Sequence, residues 1–351
     1  MEKNISMLTP HKCFLNPMLE DLPDRYEYYT RHMPDRKKLN TVIGIAGCFP
    51  VEINRIPWHL IQHLVITNYS SKFSNQPNGT QITEAFFNPH AKWLLLSEPS
   101  LEDILIFLTR CASTLKTINL RYLDIYSLPS LSQLSNLRSL ELLDCTEITE
   151  LKGLRNLTKL SKLTLTACRQ LVELRGLENL TQLNEVCLIG CRQLEALHGL
   201  ENLTQLTTLN LSGCSSFSTL PGLENLKHLT TLNLSGCSSF VTLPGLENLK
   251  QLTTLNLSSC KKLTELPDGI RQLKSLRRLD LRHMQLQSLP DWLLDIAEKF
   301  SLDYSTDYGN GKAIVSLADT TVEGVDMSIF ARPHPVVVKW FEERKKAEPA
   351  P

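Results

Sequence analysis

Leucine recurs along this chain in a fixed frame. Leu206, Leu209 and Leu211 are followed by Cys214, and the spacing returns at Leu229/Leu232/Leu234/Cys237 and Leu252/Leu255/Leu257/Cys260. Earlier copies are Leu137/Leu140/Leu142/Cys145, Leu160/Leu163/Leu165/Cys168 and Leu183/Val186/Leu188/Cys191. Two divergent copies flank them: Leu115/Ile118/Leu120 ends on Leu123, and Leu276/Leu279/Leu281 ends on Met284. The six cysteines stand 23 residues apart, in step with the leucines. Alternation within each Leu-x-Leu core predicts a short strand with its leucines inward and its x positions facing solvent. The return path to the next strand carries Gly153, Gly176, Gly199, Gly222 or Gly245 and in places a proline. It is too short for a long helix, so 3₁₀ turns or extended pieces are expected, with Leu246, Leu249 and their equivalents pointing in. One such unit cannot bury its own leucines, so stability must come from stacking neighbours.

The pattern loosens at both ends. Residues 63–68 (HLVITN) and 92–98 (KWLLLSE) read as strands. Ser100 before LEDILIFLTRC reads as the cap of an amphipathic helix with Leu101, Ile104, Leu105 and Leu108 on one face. After Pro290, DWLLDIAEKF reads as a short helix. The expected organisation is an N-terminal cap or arm over 1–58, degenerate repeats over 59–114, the regular array over 115–290 and a C-terminal cap over 291–351.

The recurring L-x-x-L-x-L-x-x-(N/C) resembles the leucine-rich repeat superfamily, closely over 115–290 and loosely over 60–110. That resemblance implies an α/β solenoid: a curved parallel β-sheet on the concave side, short 3₁₀ or irregular convex segments, and caps at both ends. It further implies that the six inward cysteines interact with backbone groups of the turn, and that a protein partner binds the concave face. The short convex side is similar to the internalin subtype, and LNLSGCSS to plant-type repeats. The tail Ile314-x-x-Leu317-x-x-Thr320-x-Val322-Glu323 is similar to the segment that closes many bacterial arrays, including those before Roc-COR GTPase modules. A bacterial, effector-like protein acting in a host cell is therefore the expectation, with Glu342-Glu343 a weak echo of a secretion signal.

Composition narrows the picture. The 37 basic and 37 acidic residues cancel, which argues against a global grip on nucleic acid or an anionic membrane. No apolar run is long enough to span a bilayer. The N-terminal stretch has no signal-peptide core, so a cytoplasmic, reducing setting is expected for the ten cysteines.

Catalytic motifs fare poorly. Gly309-Asn310-Gly311-Lys312 resembles a phosphate loop, but Thr306 stands where the first glycine belongs and no Ser or Thr follows Lys312. His59 and His63 share helical spacing without a carboxylate or thiol partner for a metal. Cys187 lies at a solvent-facing x position with nothing basic beside it. Residues 49–60 resemble the start of an F-box, yet Pro57 would stop its helix. No enzyme activity, cofactor or metal is expected, and the chain is expected to be monomeric.

The x positions describe the candidate binding face. Three consecutive repeats show the same triplet: Thr208/Asn210/Ser212, Thr231/Asn233/Ser235 and Thr254/Asn256/Ser258. Anchor chemistry lies at the ends, with Arg121 and Tyr122 at one and Arg278, Asp280, Arg282, His283 and Trp292 at the other. Arg, Tyr and Trp are the side chains enriched in interface hot spots. The sequence thus reads as a protein-interaction module. Its alternatives are a substrate-recruiting adaptor of a ubiquitin ligase acting through the N-terminal region, and a relative of a repeat GTPase lacking its G domain.

Overall fold

The computed structural model describes residues 42–46, 58–67, 93–97 and 101–288, together with 290, 292, 314–316 and 321–322. The F-box-like stretch up to Pro57, the Ser100 cap, the helix proposed after Trp292, the Gly309–Lys312 segment and Glu342-Glu343 lie outside these residues.

The alternation of leucine and polar residues produces the strands it predicts. Strands β1 (Val42–Ala46), β2 (His63–Thr67), β3 (Trp93–Ser97), β4 (Thr117–Arg121), β5 (Ser139–Leu143) and β6 (Lys162–Thr166) come first. Then β7 (Glu173–Leu174) and β9 (Ala196–Leu197) form a small separate pair around β8 (Glu185–Ile189). The ladder continues through β10 (Thr208–Asn210), β11 (Thr231–Asn233), β12 (Thr254–Asn256) and β13 (Arg278–Asp280). Twelve strands make one sheet in the order β1-β3-β2-β4-β5-β6-β8-β10-β11-β12-β13-β15, where β15 is Ile314–Ser316. From β4 to β13 every pairing is parallel and joins equivalent positions, as in Leu209↔Leu232 and Leu232↔Leu255.

One column of leucines therefore fills the interior: Leu140, Leu163, Val186, Leu209, Leu232 and Leu255 are all fully buried. The return segments close the other wall with 3₁₀ turns such as Leu200–Asn202, Leu223–Asn225 and Leu246–Asn248. Leu246 and Leu249 are fully buried, as the pattern requires. Each of these three turns is entered through a glycine with positive φ, whereas the first and last turns of the array are entered through Ser130 and Pro267. At Gly222 (φ +85°) an added Cβ would stand 2.7 Å from Glu201 Cβ and 2.8 Å from its Cα. The glycine is thus demanded twice, by backbone conformation and by the close approach of the preceding repeat.

The ends depart from simple stacking. The strands expected near 63–68 and 92–98 are present, but β2 lies between β3 and β4, so the chain from β3 must pass β2 to reach β4. The helix α1 (Leu101–Arg110) lies on that connection. Its buried face is Ile104, Phe107, Leu108 and Cys111, spaced i, i+3, i+4, i+7, whereas Leu105 is half exposed. Leu105, expected on the buried face, is displaced from it because Phe107 and Cys111 complete that face. At the other end β13 is not an edge, since β15 pairs with it (Leu279↔Val315). In the same region β14 (Gln285–Leu286) pairs with β16 (Thr321–Val322).

Candidate binding surface

Three columns run along the ladder and shape its solvent-facing side. The first is the thiol column. Cys145, Cys168, Cys191, Cys214, Cys237 and Cys260 are free thiols, all 0–1% exposed. Cys214 Sγ donates to Leu188 O at 2.9 Å, Cys237 to Leu211 O at 3.0 Å and Cys260 to Leu234 O at 3.1 Å. Each of these three thiols thereby satisfies a main-chain carbonyl of the preceding repeat in a dry interior, where an unpaired carbonyl would be costly. Burial pushes Cys237 and Cys260 up to about 12.

The second column is a left-handed turn residue just before the cysteine position. Tyr122, Asp144, Ala167, Gly190, Gly213, Gly236, Ser259 and His283 all have φ between 54° and 74°. Their N–H groups extend the ladder past the strands, as in Gly190 N to Ser212 O and Gly213 N to Ser235 O, both 2.7 Å. Three glycines fit this conformation without strain, while the other five are held in it by their neighbours. The sequence reading missed this column. Its signal was the Gly-Cys pair repeated at 190, 213 and 236.

The third column sits on the exposed face itself. Asn210, Asn233 and Asn256 turn their Oδ1 back to accept the N–H of Ser212, Ser235 and Ser258 at 2.9–3.0 Å. Asp280 repeats the contact with the N–H of Arg282 at 3.1 Å. These are Asx turns, which offer the backbone an alternative to the ladder. Among the described residues the Nδ2 groups of the three asparagines donate to nothing.

The expected anchors are not all equivalent. Arg121 is 3% exposed: its Nε donates to Asn119 Oδ1 at 2.7 Å, and Glu141 lies 3.9 Å from its Nη2. It is a buried network member rather than a free anchor. Tyr122 is half-buried and occupies a left-handed turn position. Trp292 is 9% exposed, and its indole N–H donates to Asp268 Oδ1 at 3.0 Å, at the start of a return-side 3₁₀ turn. The expectation that Trp292 stands as an exposed aromatic with the arginines is therefore corrected: burying the indole satisfies its N–H at the return side.

Arg278, Asp280 and Arg282 do share the exposed face, all half-buried, with His283 exposed after them. Arg282 grips Asp280 with two bonds, Nε to Oδ1 at 2.9 Å and Nη2 to Oδ2 at 2.6 Å. Arg278 makes no side-chain bond to any described residue.

Elsewhere on the face, Lys162 pairs with Glu185 at 2.8 Å. Cys187 is half-buried with Sγ 3.6 Å from Glu185 Oε1, and it is pushed up to about 11, first by burial and then by that carboxylate. His63 Nδ1 lies 2.8 Å from Thr117 Oγ1, and His59 is exposed. Among the described residues no group of three or more His, Cys, Asp or Glu is placed to hold a metal ion, and no helix is long and apolar enough to cross a membrane.

A family described as Zer-1-like leucine-rich repeats matches residues 220–289. No curated protein matches. Among solved structures, the leucine-rich repeat domain of the type III effector XopL is 26% identical, over 47% of this chain and 68% of that one, with a TM-score of 0.35. A leucine-rich repeat protein of Leptospira interrogans is 18% identical, over 62% and 70%, with a TM-score of 0.29. The repeat frame and the equivalent-position ladder give the fold of a leucine-rich repeat solenoid, and the family match over 220–289 falls within that ladder.

Proposed function

We propose that this protein is a binding module that takes a protein partner on its exposed strand face, at β12 and β13. The observation that carries this reading is the charged group Arg278, Asp280 and Arg282 on one strand, with His283 next, beside three repeats (β10–β12) whose exposed positions are all small and polar. The twelve-stranded sheet keeps that face continuous, so a partner meets side chains from several repeats at once. Such a fold suits protein recognition, because side chains two residues apart on each strand can be varied while the leucine column stays fixed.

Action as a bacterial effector inside a host cell is the specific form of this reading. It rests on the near-identical repeats beginning at Leu206, Leu229 and Leu252 and on the bacterial-type tail.

Affinity capture from a candidate host lysate tests the module. Wild type is compared with Arg278→Glu/Arg282→Glu and with a return-side control, Glu201→Lys/Glu224→Lys. A protein retained by wild type and the control, and lost from the arginine variant, is the expected result. Retention by the arginine variant and loss from the control would move the interface to the return side. A translocation reporter fused to the chain tests the effector form.

A further inference from the structure

We infer that the β11–β13 end of the exposed face is built to receive an acidic, extended protein segment. The inference rests on the binding-module reading and specifies its partner. Two kinds of donor that cannot also accept are free there. The first is the Arg278 guanidinium, half-buried on β13 and without a side-chain partner among the described residues. The second is the pair of amide donors Asn233 Nδ2 and Asn256 Nδ2, left over because each Oδ1 is committed to the serine N–H two residues on.

The only carboxylate at the strand positions of β10–β13 is Asp280, and Arg282 occupies both of its oxygens. Apart from the Thr231 and Thr254 hydroxyls, which donate or accept, the free side-chain groups are donors, one of them charged. Asn233 and Asn256 stand in register on strands spaced about 4.8 Å apart, and Arg278 stands on the next strand in register with Thr254, two residues before the asparagine column. A guanidinium that is partly desolvated and unpaired gains most from a carboxylate, which it can take with two parallel bonds. The neighbouring amides suit main-chain carbonyls or a second acidic side chain.

The other half of the face offers no such arrangement. There Lys162 is matched by Glu185, and Arg121 lies against Glu141. A nucleic acid would need several unpaired cations to meet successive phosphates, and Arg278 is one. Asp280 shows how the asparagine position can change without losing the backbone contact: its Oδ1 still accepts the Arg282 N–H. Asn256→Asp therefore keeps the Asx turn while replacing a donor by a negative charge, and provides a test that does not rely on unfolding.

The test uses the full chain and a fluorescein-labelled peptide of about a dozen residues alternating Asp and Ala, read by fluorescence anisotropy. An Asn-for-Asp peptide and a single-stranded DNA of similar length serve as comparisons. The Asp peptide should bind wild type at least about tenfold more tightly than the Asn peptide. Arg278→Gln and Asn256→Asp should each remove that preference with melting temperature unchanged.

Equal binding of the two peptides, no binding by the Asp peptide, tighter binding by the DNA, or a preference that survives Arg278→Gln would each overturn the inference. The module reading has its own test. A captured partner that needs Arg278 but contacts it through a segment without acidic residues would leave that reading standing and remove this one.

Discussion

In β4, β5, β6 and β8 the strand runs five residues, and in β10, β11, β12 and β13 it stops after three. The leucine frame is the same in both halves, so apolar packing does not set the difference. The cause is the side chain at the strand's third position. In the later half Asn or Asp accepts the N–H two residues on and withdraws it from the ladder. In the earlier half that position holds Glu141, Thr164 or Cys187, or Asn119, whose Oδ1 is taken by Arg121 Nε instead of a main-chain N–H, and the strand continues, with Ile189 still paired to Thr166.

The effect reaches the core. Where the Asx turn has freed a carbonyl, the cysteine thiol closes on it to 2.9–3.1 Å; Cys145 and Cys191, in the earlier half, stand off at 3.7 and 3.6 Å. One polar substitution on the outer face thus changes strand length, thiol bonding and the donors left for a partner.

Removal of a whole repeat tests the shared frame with the largest effect. Deleting residues 229–251 rejoins equivalent positions of β10 and β12, so the far-ultraviolet spectrum should be retained with a lower melting temperature. Deleting only 12 residues from the same place sets leucines against polar positions and should abolish cooperative melting. Equal loss from both deletions would contradict interchangeable stacking.

Next in size is Gly213→Val. Its φ of +74° is strained for a β-branched residue, and the new Cβ would stand 3.3 Å from Gly190 Cα. A cost of about 2–3 kcal/mol in urea unfolding is expected. A cost near zero would mean the turn column is slack.

A matched pair sharpens the comparison of halves. Asn233→Ala removes the Ser235 N–H contact and should cost about 1–2 kcal/mol. Thr164 occupies the equivalent position in β6, and its hydroxyl is buried without a partner. Thr164→Val should therefore stabilise by about 1 kcal/mol. Opposite signs at equivalent positions support the capping account; equal destabilisation by the two changes would contradict it.

The smallest effect leaves stability untouched. Cys187, with its thiol held near 11, should react with maleimide about two orders of magnitude more slowly at pH 8 than an ordinary thiol. Its rate should climb about tenfold per pH unit up to roughly pH 10, because only the thiolate reacts. Glu185→Gln should speed labelling at fixed pH, since Glu185 raises the thiol. A rate that levels off by pH 9 would contradict the assignment.

The positions of the strands, the burial of Cys145 through Cys260 and the 3₁₀ returns were legible from the sequence, because each follows from the period of apolar residues. What escaped was polar and local. Asn210, Asn233 and Asn256 read as three solvated side chains, yet their oxygens serve the backbone, a contact that leaves the apolar period unchanged. The left-handed column was hidden because Tyr122, Asp144, Ala167, Ser259 and His283 occupy it alongside glycines. Arg121 and Trp292 looked like exposed anchors by residue type, but their partners Asn119 and Asp268 draw them in. The placement of β2 between β3 and β4 has no signature in the strands themselves, since both are apolar runs able to pair on either edge.

The most direct measurement of the central claim is the affinity of the captured partner for two opposed double variants. Arg278→Glu/Arg282→Glu alters the later half of the face, and Leu143→Glu/Ile189→Glu alters the earlier half at half-buried positions of the outer strand face. The account predicts that the first weakens binding by more than about 2 kcal/mol, the hot-spot scale, and that the second changes it by less than about 0.5 kcal/mol. Full affinity in the arginine variant, with binding lost in the Leu143/Ile189 variant, would contradict it.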